Sequence, residues 1–234
     1  MIPFQGTGLR LGPLDVAIAA DDLGCDAAVL QAVIAVETSG RGFDDHDRPS
    51  MLFEPAVFYR QLFDKGATET LATAVRYRLA APAWGEIPYA PDSYVPLAGA
   101  CALDRDAALQ SASWGLGQIM GFNHALAGFR DAESMVAAAM DSERRQLDMM
   151  VAFLKAEHLV PFLVARDWVN FALRYNGRAE AQHDYGGRLR DAYEAAQRRG
   201  SAAPSAPAET ADELNAAELG KLGGRPDADP DHQW

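Results

Sequence analysis

Glu37 and Glu54 are the side chains of this 234-residue sequence best placed to move a proton, each at the end of an apolar run. Glu37 closes the stretch Ala32-Val33-Ile34-Ala35-Val36-Glu37-Thr38-Ser39-Gly40. Leu30, Val33, Ile34 and Glu37 recur at helical spacing, so the carboxyl shares the face that packs inward. Thr38-Ser39-Gly40 then stops the helix, with Gly40 as a left-handed cap. An apolar wall and the carbonyl end of a helix both disfavour the charged form. That is the setting in which a carboxyl keeps its proton near neutral pH and serves as a general acid. The plain alternative is a glutamate at a frayed helix end, pointing into water. Glu54 ends Ser50-Met51-Leu52-Phe53-Glu54-Pro55 and reads as the carboxylate that stays ionised. An acid and a carboxylate facing one another suit acetal chemistry at a glycosidic bond.

The connection between the two is dense in turn formers: Gly42, Asp44, Asp45, Asp47 and Pro49. It predicts a β-hairpin or irregular two-stranded ribbon between Phe43 and Phe53, returning Glu54 towards Glu37 across a cleft. Asp26 is the expected cap of the Glu37 helix. Helices are further expected over 15–20, 56–63, 68–79, 104–111, 132–157, 160–174 and 189–199. Between them, Pro82, Pro88, Pro91 and Pro96 with Trp84, Tyr89 and Tyr94 make an aromatic, proline-rich loop, whose rings either stack on sugars or cover the core. Ser113-Trp114-Gly115-Leu116-Gly117-Gln118-Ile119-Met120-Gly121-Phe122-Asn123 has the glycines of a chain that wraps closely around a groove floor. Gln118 lies inside that apolar run and needs partners if buried. Glu143 falls on the apolar face of the 132–157 helix and reads as half of a buried ion pair.

The composition narrows the possibilities. The formal net charge is -12, and the last 34 residues, with seven acidic and two basic side chains, carry -5 of it. There is no basic footprint for nucleic acid. Cys25 and Cys101 read as small core residues, and the five histidines show no metal-ligand spacing, so neither metal nor cofactor is expected. No Gly-x-Ser-x-Gly elbow points to a serine hydrolase. The N-terminus lacks the basic and apolar regions of a signal peptide, and no run reaches membrane-spanning length. After Gly200 the sequence turns into Ser201-Ala202-Ala203-Pro204-Ser205-Ala206-Pro207, a linker leading into an acidic remainder. The expected organisation is therefore a catalytic domain over 1–200 and a flexible, acidic, Pro/Ala-rich tail over 201–234.

Taken together, these stretches resemble the N-acetylmuramidase domain of phage and prophage endolysins, within the lysozyme-like superfamily. The resemblance runs from about Ala28 to Tyr193. It is carried by Ala35 to Gly40, Arg48 to Glu54, Ala107 to Asn123, Ser142-Glu143 with Gln146-Leu147, and Tyr175-Asn176-Gly177. It implies a mainly α (α+β) domain with a small β-hairpin beside the active-site cleft. It also implies cleavage of the β-1,4 bond between N-acetylmuramic acid and N-acetylglucosamine. Glu37 would be the general acid and Glu54 the partner carboxylate, with Ser39, Gln118, Met120, Asn123, Tyr175 and Asn176 lining the saccharide cleft. Pro55-Ala56 departs from the family, which often places a basic residue and a histidine there. The alternatives are a lytic transglycosylase forming 1,6-anhydro-muramyl products and a catalytically silent wall-binding module. The expected partner is the peptidoglycan glycan strand, bound by a monomer. The chain would be made in the cytoplasm and reach the periplasmic wall after holin-type release.

Overall fold

A computed structural model describes residues 4–38, 41–176 and 184–201; the side chains of Glu37, Thr38, Asn176, Gly200 and Ser201 lie outside that description. The protein is mostly helical with one small antiparallel sheet, as the sequence predicts. Helix α1 (Pro13–Leu23) starts on a proline and ends at Gly24, whose φ of 69° is a left-handed cap. Helix α2 (Ala27–Thr38) begins under Asp26, which accepts the Val29 amide at 3.1 Å. Val29, Leu30, Ala32, Val33, Ile34 and Val36 are all buried, so α2 is apolar around most of its circumference. A helix of that kind belongs inside a molecule. It packs between α1 and the last described helix, α11 (Tyr185–Ser201).

The predicted ribbon narrows to one antiparallel bridge, Phe43 with Pro49, beside bonds from Asp44 N–H to Arg48 O and from Ser50 N–H to Gly42 O. The sheet forms elsewhere. Strand β1 (Met51–Phe53) pairs with β2 (Ala112–Trp114), placing Leu52 opposite Ser113. Strand β2 in turn pairs with β3 (Ile119–Met120), so the glycine-rich segment is itself the hairpin. Its turn uses left-handed backbone at Gly115 (φ 68°) and at Gln118 (φ 46°).

Glu54 leads into α3 (Pro55–Asp64), followed by α4 (Thr68–Arg76), α5 (Tyr94–Leu103) and α6 (Arg105–Gln110). Helix α5 falls where the sequence reads as loop. Pro96 is compatible with it because, in the first turn, its missing N–H has no intrahelical acceptor to lose. The long helix expected over 132–157 is two: α7 (Ala132–Asp141) and α8 (Glu143–Ala156). Ser142 is extended (φ -169°, ψ 159°), and its hydroxyl accepts the Arg145 amide as the cap of a new helix. The helix expected over 160–174 is likewise α9 (Val160–Ala165) and α10 (Trp168–Asn176), broken where Arg166 turns left-handed. One apolar core runs through all of these elements, with Trp114, Phe53, Phe58, Leu147 and Phe171 fully enclosed. The tail predicted from 201 lies outside the described residues beyond Ser201.

Candidate active site

Glu37 stands next to last in α2, among the carbonyls that no further turn of helix satisfies. Glu54 occupies the opposite kind of position. It is the residue before α3, and its carbonyl accepts the Phe58 amide at 3.0 Å to start the helix. Its own N–H donates to Ser111 O at 2.9 Å. The side chain does not cap the helix. It is buried, at 6% exposure, and Oε2 accepts the hydroxyl of Tyr89 at 2.8 Å. Glu37 thus belongs to the last turn of one helix, and Glu54 is the residue that starts the next.

Ser50 joins the stretches around them. Its N–H donates to Gly42 O, its hydroxyl donates to Arg41 O at 2.9 Å, and its carbonyl accepts Gly115 N–H at 2.8 Å. Glu37 precedes Arg41 by four positions and Glu54 follows Ser50 by four, so both glutamates are close in sequence to the same cross-link. Gln118 binds there too. Its amide donates to Ser50 O at 3.2 Å and Gly115 O at 2.9 Å, while its oxygen accepts the Ser113 hydroxyl at 2.8 Å. The polar partners that the sequence demands for Gln118 are therefore supplied by its own hairpin and by Ser50.

Tyr175, which is buried, donates to Gly117 O at 2.7 Å and stacks on Phe171 with ring centroids 5.3 Å apart. Gln118 and Tyr175 consequently grip the same turn. Met120 is half-buried in β3, opposite Ser113. Asn123 is buried in the 3₁₀ turn that follows, Gly121–Asn123, and its carbonyl accepts Ala127 N–H. Ser39 lies outside the described residues, as do the side chains of Glu37 and Asn176.

Two residues of α8 hold this arrangement from behind. Glu143 is 4% exposed and accepts Gly42 N–H and Leu11 N–H, each at 2.8 Å, as well as the Arg10 guanidinium at 3.1 Å. It is the buried ion pair expected from the sequence. Gln146, one turn on and 1% exposed, donates to Gly42 O and Ala139 O and accepts Leu116 N–H. Gly42 is thereby bonded through both its amide and its carbonyl. A Cβ there would come within 2.1 Å of Gln146 Oε1 and 2.7 Å of Glu143 Cγ, so only glycine fits.

The aromatic loop divides by role. Tyr94 is buried, donates to Pro49 O at 2.6 Å, and carries the Arg48 guanidinium 4.2 Å over its ring. It is structural. Tyr89 touches the candidate carboxylate. Sequence reasoning singled out Tyr89 only as one aromatic among several, and missed the bracing by Gln146. The signal for the latter was present: Glu143 and Gln146, three apart, interrupt the buried face of α8.

The N-acetylmuramidase family model matches residues 26–197. Among solved structures, the chain is similar to the Burkholderia AP3 phage endolysin, at 35% identity and a TM-score of 0.72, over 82% of this chain and 72% of that one. No curated protein matches. With most of its length under the family model and its fold shared with an endolysin, the chain belongs to the N-acetylmuramidase family and is a glycosidase-type peptidoglycan hydrolase.

Proposed function

We propose that this hydrolase cleaves the β-1,4 bond between N-acetylmuramic acid and N-acetylglucosamine, with Glu37 as general acid and Glu54 as the ionised partner. The observation that supports this reading is that Glu37 lies in the last turn of α2, whereas Glu54 is the residue that starts α3. The unsatisfied carbonyls at the end of α2 disfavour a negative charge at Glu37, so it holds a proton to give to the leaving oxygen. The free amides at the start of α3 and the Tyr89 hydroxyl favour a negative charge at Glu54. Glu54 then faces the oxocarbenium-like centre, or the water that attacks it. Gln118, Met120, Asn123 and Tyr175, together with Ser39 and Asn176, form the saccharide floor. The hairpin that the first of these brace gives the sugar a rigid surface. Acting on the wall of a bacterium, the domain over 1–200 works as a monomer without metal or cofactor, and the acidic tail lies outside the catalytic unit.

The test is a digest of purified peptidoglycan, reduced with borohydride and read by mass spectrometry. A new reducing end on N-acetylmuramic acid is the expected product. An anhydro product, lighter by one water, would replace this reading with a lytic transglycosylase. Binding without any new end would replace it with a silent wall-binding module. Glu37→Gln should lower turnover about 10²–10⁴-fold with an unchanged melting temperature, and Glu54→Gln should fall sharply as well. Wild-type clearing by a folded Glu37→Gln protein would remove the acid from the scheme.

A further inference from the structure

The segment 80–93 crosses the molecule beside Glu54 without helix or strand. Both of its ends are fastened by bonds that do not involve Tyr89. At the start, Ala81 N–H donates to Pro55 O at 3.3 Å. At the end, Arg48 donates to Asp92 at 3.2 Å, Asp92 Oδ1 accepts Tyr94 N–H at 3.0 Å, and the Tyr94 hydroxyl reaches Pro49 O. The loop is thus held in place by its flanks. The Tyr89 hydroxyl, between them, is spent on Glu54 Oε2 at 2.8 Å.

We propose that Tyr89 is a positioning residue of the reaction: its hydroxyl fixes the direction of the Glu54 carboxylate and supports its charge. The inference rests on the reading of Glu54 given above. The start of α3 does not orient this carboxylate, because the Glu54 side chain makes no capping bond, whereas the Tyr89 hydroxyl contacts Oε2 directly. A hydroxyl donor from a loop anchored elsewhere restrains it. A hydrogen bond to an ionised acceptor is among the stronger ones, and its geometry selects one carboxylate orientation. Since the restraint acts on the reacting group and not on the loop, its loss should be felt in turnover and not in binding.

Three variants test this with soluble, uncross-linked glycan strands as substrate. Tyr89→Phe should lower kcat about tenfold, leave KM within about twofold, and lower the melting temperature by no more than about 6 °C. Tyr94→Phe, which removes a hydroxyl from the same loop at its anchor, should lower the melting temperature and leave kcat at wild-type level well below that temperature. A wild-type kcat for Tyr89→Phe overturns the inference. So does a KM that rises in step with the loss of turnover, or an equal loss of kcat in Tyr94→Phe. Glu54→Gln separates the two readings. If it is inactive while Tyr89→Phe turns over normally, only the positioning role falls. If Glu54→Gln retains full activity, the assignment of Glu54 itself falls.

Discussion

Replacing Gln146 by leucine removes three hydrogen bonds at once while nearly preserving volume. Nε2 donates to Gly42 O at 3.0 Å and Ala139 O at 2.8 Å, and Oε1 accepts Leu116 N–H at 3.0 Å. All four residues are buried, so no water replaces the lost partner. Leaving a buried polar group unsatisfied costs roughly 1–3 kcal/mol, or about 3–6 kcal/mol for three such groups when two are carbonyls with a second lone pair. The added apolar burial returns about 1–2 kcal/mol. A net loss of about 3 kcal/mol corresponds, for a chain of this size, to a fall of about 6–12 °C in Tm. Thermal unfolding followed by circular dichroism reads this directly. Gln146→Glu should be worse still: it keeps an acceptor for Leu116 N–H, but offers no donor to either carbonyl and buries a charge. A change below about 2 °C for Gln146→Leu, against that scale, would mean the orphaned groups find other partners. The picture of Gln146 as the brace behind the Glu37 connection would then be wrong.

Two further outcomes follow from titration. Burial, with Asp26 adding to it, pushes the Cys25 thiol up to about 11. At pH 8 only about one molecule in a thousand then carries the thiolate, so iodoacetamide should label Cys25 slowly in the native protein and quickly in urea. Equal rates in both states would contradict the burial. Asp104 is pulled upward by burial, but the Ala107 amide and the Lys65 ammonium outweigh this and hold it below its ordinary value of 3.8. A lowered folded-state value gives stability that is present above the unfolded value and lost as pH falls through the folded one. Asp104→Ala should therefore cost about 1 kcal/mol at pH 7 through loss of the α6 cap, and the gap to wild type should narrow only as pH falls below the ordinary value of 3.8 and through the lowered one. A gap independent of pH in denaturant unfolding would show that the carboxylate charge plays no part.

The sequence was most legible where one residue signals a local event. Asp26, Asp104 and Asp131 each cap the helix they precede, accepting the amides of Val29, Ala107 and Ser134. It was least legible where long-range contacts decide. Residues 132–157 keep a helical period throughout, and only the cap at Ser142 breaks it, because Glu143 N–H bonds Leu9 O from the N-terminal segment instead of a helical carbonyl. The strand partner of Met51–Phe53 is sixty residues away, so local turn formers at 41–49 suggested the nearer pairing. Glu37 and Glu54 stood out by their apolar flanks and spacing, and they lie at the end of α2 and the start of α3. Tyr89 was not, since nothing in a proline-rich loop foretells which ring meets Glu54.

The embrace of α2 by α11 sets a schedule for synthesis. Tyr193 donates to Asp26, the residue that caps α2, at 3.3 Å, across more than 160 positions of chain. A ribosome has made nearly all of the described protein before the apolar circumference of α2 can be enclosed. The helix that carries Glu37 is therefore enclosed last rather than first, and a chain cut short ahead of Tyr185 would leave the side of α2 that faces α11 uncovered.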